Sequence, residues 1–252
     1  MRFAAAMAAL GPFEAPPRIA VAVSGGSDSL ALTLLAARWA AARKGAVLAL
    51  TVDHGLRDGS AEEARQVGTV LAGHGIAHRV LTIAVARPSG VQAAARAARY
   101  EALEQAAAEA GILHLLVGHT AQDQAETIRL RADRASGADG LAGMAPIVER
   151  RWVRLLRPLL GMRRSDLMAT CRAAGAAWID DPFNRDPRFA RARLRLEGRA
   201  VLPTGVVAAR RRRNARQAVV ADRLARHVEV AAEGYAVADL RALVGAPGVG
   251  VA

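Results

Sequence analysis

Four short apolar runs, each followed by a longer Ala-rich stretch, alternate through the first half of the chain. No other feature restricts the fold as strongly. The runs span 18–23, 46–52, 78–85 and 112–117, and the stretches between and after them span 30–42, 61–74, 91–110 and 120–132. Short apolar runs bounded by turn residues read as buried strands, and the longer Ala/Leu/Arg/Glu segments read as helices. Ser60, with Glu63 three residues later, reads as an N-cap for the second helix. Strands linked through helices pair in parallel, and a parallel sheet needs both faces covered. The expected fold is therefore α/β, a doubly wound, mostly parallel sheet of Rossmann type. A fifth strand over 152–156 and a helix over 165–174 continue the pattern. After about Leu196 the character changes to the basic cluster Arg210–Arg213, a helical segment over 214–227 and a hairpin-prone stretch. This predicts an α/β domain over 1–200 and, over 201–252, a linker with a short helical C-terminal extension or the truncated start of a further domain. A chain of 252 residues has room for both.

In open parallel sheets the ligand crevice lies beyond the carboxyl ends of the strands. Three chemically loaded segments fall at such ends: Ser24–Ser29, Asp53–Arg57 and Gly118–Glu126. The first, Ser24-Gly25-Gly26-Ser27-Asp28-Ser29, joins a strand to a helix. Glycines let backbone N–H groups approach an anion, and a helix N-terminus faces it with positive partial charge. No Gly-Lys-Ser/Thr follows, which excludes a Walker A loop. Asp28 adds negative charge to an anion site, so it either holds a divalent metal or caps the helix. A plain Gly-rich turn with a Ser/Asp cap is the bland alternative.

The net charge is +12, and Lys44 is the only lysine among 35 basic residues. Such an excess points to a polyanionic partner, nucleic acid first. Cys171 is the single cysteine, which excludes an internal disulfide or a Cys-x-x-Cys metal site and favours a reducing, cytoplasmic setting. The N-terminal Ala/Met stretch is too short and interrupted for a membrane span.

Ser-Gly-Gly-x-Asp-Ser after a first strand resembles the PP-loop of ATP pyrophosphatases, also called the adenine nucleotide α-hydrolase-like class. Val52-Asp53-His54-Gly55-Leu56-Arg57, Gly118-His119-Thr120-Ala121-Gln122-Asp123-Gln124-Ala125-Glu126-Thr127, Arg157-Pro158-Leu159-Leu160, Asp181-Pro182-Phe183-Asn184 and Phe189–Arg195 follow in order. Together they resemble the tRNA(Ile)-lysidine synthetases over about residues 18–200. The tRNA thiolases of the class show paired cysteines, which this chain cannot supply. It departs from the family pattern at Gln122, Phe183 and Ala192, and at Ala135-Ser136-Gly137, where the family has Gly-Ser-Gly.

The resemblance implies a carbon–nitrogen ligase that uses ATP and Mg²⁺. The C2 oxygen of the wobble cytidine in a tRNA(Ile) with a CAU anticodon is adenylated, and the ε-amine of free L-lysine then displaces AMP. Another PP-loop tRNA-modifying or amidating enzyme, and an inactive RNA-binding remnant, are the alternatives. No membrane partner is implied, and a homodimer is left open. Ser24, Gly25, Gly26, Ser27, Asp28 and Ser29 would cradle the phosphates, with Asp53 and His54 lining the nucleotide pocket or forming a capping turn. Asp28, His119, Asp123 and Glu126 are the catalytic candidates, and Asp28 and Asp123 the metal candidates. Asp123 and Glu126 share a helix face. They would hold the lysine ammonium, bind Mg²⁺ or accept a proton. Alternatively they are acids favoured by the helix dipole, with Thr120 and Asp123 as a capping box. His119 is a phosphate contact or a satisfied loop histidine. Arg96, Arg99 and Tyr100 share one helix face, where arginine reaches a phosphate or solvent. Arg191, Arg193 and Arg195 read as tRNA or triphosphate contacts, or as a solvated basic strand. Arg210–Arg213 reads equally as nucleic-acid contact or solvated linker.

Overall fold

The computed structural model describes residues 2–53, 59–83, 91–180, 193–194, 204–230 and 236–243. Contacts divide the chain into two compact units, one of Met1–Gln124 with Ala145–Arg199 and one of Ala125–Met144 with Ala200–Ala252. The single break expected after residue 200 does not anticipate that 125–144 groups with the C-terminal extension.

The first unit is built on six strands: β1 (Arg18–Ala22), β2 (Ala46–Asp53), β3 (Ala77–Thr82), β4 (His114–Leu116), β5 (Ile147–Glu149) and β6 (Arg154–Leu156). They form one sheet in the order β3-β2-β1-β4-β6-β5. β1 pairs in parallel with β2 and β4, β2 with β3, and β4 with β6. β5 pairs antiparallel to β6. Its helices are α1 (Arg2–Ala8), α2 (Ser27–Ala41), α3 (Ser60–Gly73), α4 (Val91–Glu109), the start of α5 (Ala121–Ala132) and α7 (Arg164–Ala173).

The apolar runs are continuous because both sheet faces are buried. Side chains alternate across a strand, and here the alternation sorts neighbours into separate cores. Ile19, Val21, Leu116 and Leu156 pack with Leu30, Leu34 and Trp39 of α2, Leu71 of α3 and Leu167 of α7. Ala20, Leu115 and Leu155 pack on the other face against Leu103, Ala106 and Ala107 of α4. Each fully buried Leu or Ile contributes about 1.5–3 kcal/mol. The doubly wound, mostly parallel sheet expected from the alternation is the fold of this unit. The chain runs from β1 outward through β2 to β3, then returns to place β4 on the opposite side of β1. The switch point therefore lies between β1 and β4.

Element ends differ from expectation for local reasons. α2 begins at Ser27 rather than Leu30, because Gly26 (φ −71°, ψ 159°) ends the extended segment and Ser27, Asp28 and Ser29 form the first helical turn. Ser60 is the first helical residue of α3, not its cap. Gly59, left-handed at φ 93°, takes the N-cap position without a side-chain cap, and its carbonyl accepts from the Glu63 N–H. The strand expected over 152–156 is β6, trimmed to Arg154–Leu156, and its antiparallel partner β5 (Ile147–Glu149), three residues long, carried no sequence expectation.

The second unit contains the rest of α5, α6 (Ala138–Leu141), α8 (Val206–His227), the antiparallel pair β7 (Val228–Val230) and β8 (Ala236–Ala238), and α9 (Leu240–Leu243). Arg210–Arg213 is not a linker but part of the first turns of α8. Arg210 donates to the Ala142 carbonyl, and Arg213 to those of Gly143 and Met144. Arg131 donates to Gly140 and Gly143. These guanidiniums satisfy carbonyls in and just after α6. Burial, followed by the Arg210 and Arg131 charges, pushes the Arg213 guanidinium below its ordinary range. Among the described residues, no helix is long and apolar enough to cross a membrane.

Candidate functional site

A cavity of about 640 Å³ opens at the carboxyl ends of β1, β2 and β4. That volume lies within the range of about 300–1,000 Å³ usual for small-ligand pockets. Ser24, Gly26, Asp28 and Ser29 form its β1 wall, Asp53 its β2 wall, and Gly118, His119 and Asp123 its β4 wall. Glu63 of α3, Arg96, Arg99 and Tyr100 of α4, Arg164 of α7 and Ile179 complete it.

The loop after β1 is tied by its own hydroxyls. Ser29 Oγ donates to the Gly26 carbonyl at 3.0 Å, so in the 3.2 Å contact between the two serines the Ser24 hydroxyl donates. Ser29 Oγ also accepts from the Ser24 N–H at 3.1 Å. Gly25 sits at φ +83°, where an L side chain is strained, and a Cβ there would lie 2.9 Å from Ile179 Cδ1 and 3.0 Å from Val67 Cγ2. The Ile179 N–H donates to the Gly25 carbonyl at 2.9 Å. At Gly26 the nearest atom to an added Cβ is Ser24 Oγ at 3.9 Å. Gly25 is thus required by the protein itself, whereas at Gly26 the protein leaves room. The N-terminus of α2 follows directly, the geometry that suits a phosphate. Under it, the buried Cys171 thiol donates to the Ser27 carbonyl. Burial and then the Asp28 charge raise the pKa of that thiol, so it packs as an inert neutral group.

Gly118 is a position that strand counting misses. A Cβ there would fall 3.2 Å from the Ser29 backbone N and Cα, so glycine lets the end of β4 approach the phosphate loop without crowding its backbone. Next to it, His119 Nδ1 accepts from Arg157 Nε at 3.2 Å, while Arg157 also donates to the Ala145 carbonyl at 2.8 Å. An imidazole accepting at Nδ1 carries its proton on Nε2. His119 is therefore arranged to donate rather than to act as a base through Nδ1.

Asp123 Oδ2 accepts from the Thr120 N–H and hydroxyl, both at 2.8 Å, and the Asp123 N–H returns a 3.4 Å bond to Thr120 Oγ1. This is the reciprocal cap that Thr120-x-x-Asp123 allows. It fixes the start of α5 while Asp123 still lines the cavity. Glu126, one turn further along α5, is 6% exposed and is not among the residues lining the cavity. Asp28 Oδ2 lies 3.6 Å from Arg164 Nε. Arg96 donates to the Tyr100 hydroxyl and stacks 5.0 Å from the ring centroid. Desolvation and then the Arg96 charge push the Arg99 guanidinium below its ordinary range.

Of the expected site residues, Ser24, Gly26, Asp28, Ser29, Asp53, His119 and Asp123 line one cavity, with Gly25 and Ser27 inside the same loop. Arg193 is exposed. His54, Arg191 and Arg195, with the departures at Phe183 and Ala192, lie outside the described residues. Glu63, Arg157, Arg164 and Ile179 carried no sequence expectation of a role in the site, and Gly118 only its place in a strand-end segment. A lone arginine in so arginine-rich a chain offers no signal. Gly118 and Arg157 stand in quoted motifs and were the findable ones.

Among the described residues, no group of three or more His, Cys, Asp or Glu is placed to hold a metal. Mg²⁺ is usually held by one or two carboxylates together with substrate phosphates. The oxygen donors Asp28 and Asp123 on the cavity wall fit that kind of site, and a zinc or thiolate site does not fit.

Residues 2–203 match a family model described as a PP-loop domain. The tRNA(Ile)-lysidine synthase of Bradyrhizobium sp. (strain BTAi1) is 48% identical over 196 residues, covering 77% of this chain and 54% of that one. That of Rhodopseudomonas palustris is 50% identical over 186 residues, covering 73% and 54%. That of Salinispora arenicola is 44% identical over 237 residues, covering 92% and 67%. The chain spans about half the length of the first two. Among solved structures, a U34-tRNA thiolase from Methanococcus maripaludis with its 4Fe-4S cluster superposes with a TM-score of 0.65 at 15% identity, covering 83% of this chain and 76% of that one. This second kind of likeness concerns the fold alone.

Proposed function

The chain belongs to the PP-loop family, and within it to that of the tRNA(Ile)-lysidine synthases, and on that premise we propose that it is a lysidine-forming ligase. ATP adenylates the C2 oxygen of the wobble cytidine in a CAU-anticodon tRNA, releasing pyrophosphate. The ε-amine of lysine then attacks C2 and displaces AMP. A carbonyl oxygen is a poor leaving group and a phosphate ester a good one, which is why the first step precedes the second.

The observation that carries this reading is the single cavity formed by the phosphate loop, Asp28, Asp53, His119 and Asp123 at the strand ends. The backbone N–H groups at the start of α2 bind the outer phosphates, and the left-handed turn at Gly25 aims them. His119, with its Nε2 proton set by Arg157, donates to an oxygen that gains charge as ATP is cleaved. Asp28 and Asp123 would hold Mg²⁺, which when bound neutralises the phosphates and orients them. Asp53 lines the nucleotide side, the role the sequence assigns to His54 as well. Asp123, on the cavity wall, is the acid proposed for the lysine, whose ammonium ordinarily deprotonates near pH 10.4 and needs a carboxylate partner once desolvated. Glu126 is proposed for that role from its sequence spacing alone. The positive excess, with Arg191, Arg193 and Arg195, meets tRNA phosphates.

The test is incubation of the full chain with ATP, Mg²⁺, lysine and a CAU-anticodon transcript, followed by nucleoside mass analysis. The expected product is lysidine, with lysine-dependent release of AMP. Sustained turnover of ATP and release of AMP without a lysine requirement would favour another acceptor. Failure to bind ATP would favour an inactive remnant.

A further inference from the structure

Arg164 has no place in the site as inferred from sequence, yet its side chain lies beside Asp28. It is the first residue of α7, after an Arg163 N-cap with no side-chain cap bond. A cation at a helix N-terminus opposes the helix dipole, so helix formation does not explain it. Its side chain is about one-third exposed and lines the cavity, and its Nε lies 3.6 Å from Asp28 Oδ2. The phosphate loop occupies the same wall, with Asp28 in the first turn of α2.

From this juxtaposition we propose that Arg164 is a ligand for the outer phosphates of ATP, held in readiness by Asp28. The proposal rests on the reading of this cavity as a PP-loop nucleotide site. A polyphosphate entering beside an uncompensated Asp28 meets like charge. Arg164 cancels that charge, and its forked guanidinium has donors for phosphate oxygens as well as for a carboxylate. The exchange needs only side-chain rotation within one cavity. Asp28 is then released to face a metal while Arg164 turns to the β- and γ-phosphates. The nucleoside and α-phosphate are not its partners, which makes the inference separable from general damage to the pocket.

The experiment is calorimetric titration of the full chain with ATP, inorganic pyrophosphate and AMP, each with and without Mg²⁺. In Arg164→Gln, affinity for ATP and pyrophosphate should fall about ten- to a hundredfold, the loss of one charge-assisted hydrogen bond, while AMP affinity stays at the wild-type value. AMP binding also reports that the variant is folded, and Arg164→Lys should recover part of the loss. In the double variant with Asp28→Asn the loss of pyrophosphate affinity should persist. Its recovery there would show that Arg164 only screens Asp28, and would overturn the proposal. So would equal losses for AMP and ATP, or unchanged ATP and pyrophosphate affinity in Arg164→Gln. A wild-type chain that binds neither ATP nor pyrophosphate would overturn the nucleotide-site reading itself, and the role of Arg164 with it.

Discussion

Adjacent glycines in the phosphate loop should respond to alanine in opposite ways. At Gly25 the backbone is left-handed (φ +83°), which costs an L residue about 1–2 kcal/mol. The new methyl would also meet Ile179 Cδ1 at 2.9 Å and Val67 Cγ2 at 3.0 Å. Overpacking of this kind costs about 1–3 kcal/mol, nearer the low end here because both contacts are ends of side chains. Gly25→Ala should therefore lose about 2–4 kcal/mol, a drop in Tm of roughly 5–12 °C for a chain of this size. At Gly26, φ is −71° and the nearest neighbour is Ser24 Oγ at 3.9 Å. Stiffening the unfolded chain stabilises by about 0.4–1 kcal/mol. Alanine at an N-cap position loses a similar amount relative to glycine, so Gly26→Ala should melt close to wild type. Its methyl would stand where a phosphate approaches the backbone, so ATP affinity should fall at least about tenfold. Thermal melts by circular dichroism, paired with ATP titration calorimetry, measure both. A wild-type Tm for Gly25→Ala would refute the clamping of Gly25 by Ile179 and Val67. Undiminished ATP affinity in Gly26→Ala would refute backbone approach at that residue.

Three further outcomes are expected. Ala135 sits at φ 52° where the family pattern has glycine, so Ala135→Gly should raise Tm, the relief of left-handed strain outweighing added chain entropy by about 0.5–1 kcal/mol; a lower Tm would contradict this. Burial holds His78 and His114 below their ordinary pKa, with the Glu14 carboxylate partly opposing it at His114 and Arg154 adding to it. Below pH 6.5 the unfolded histidines bind protons that the folded ones resist, so stability should fall as pH drops through that value toward the depressed folded pKa values. His114→Gln, which keeps a donor toward Glu14, should flatten the decline of Tm with pH, and an unchanged slope would exclude His114 as a source. Glu126→Gln should raise the lysine concentration needed for AMP release about ten- to a hundredfold while sparing ATP binding. Lost ATP affinity with an unchanged lysine requirement would move Glu126 to the nucleotide.

The strands and helices of the sheet were legible because burial on both faces leaves runs such as Arg18–Val23 apolar throughout, and helices between them force parallel pairing. The phosphate loop was legible for a similar reason: a strand, two glycines and a helix start are consecutive in the chain, so local chemistry alone specifies the turn. What the sequence could not specify lies in contacts between distant segments. Nothing in Gly118 or Ile179 announces that one abuts Ser29 and the other holds Gly25, since those approaches depend on where β4 and the segment after α7 end in space. The proton position on His119 depends on Arg157, 38 residues away. Arg164 and Asp28 meet only because α7 packs beside α2. Asp123 was open between capping and chemistry, and the tertiary structure has it cap α5 while lining the cavity. Local sequence determines which backbone conformations are cheap. Which side chains share a cavity is decided by the order of strands in the sheet, and that order is set only when the whole core packs.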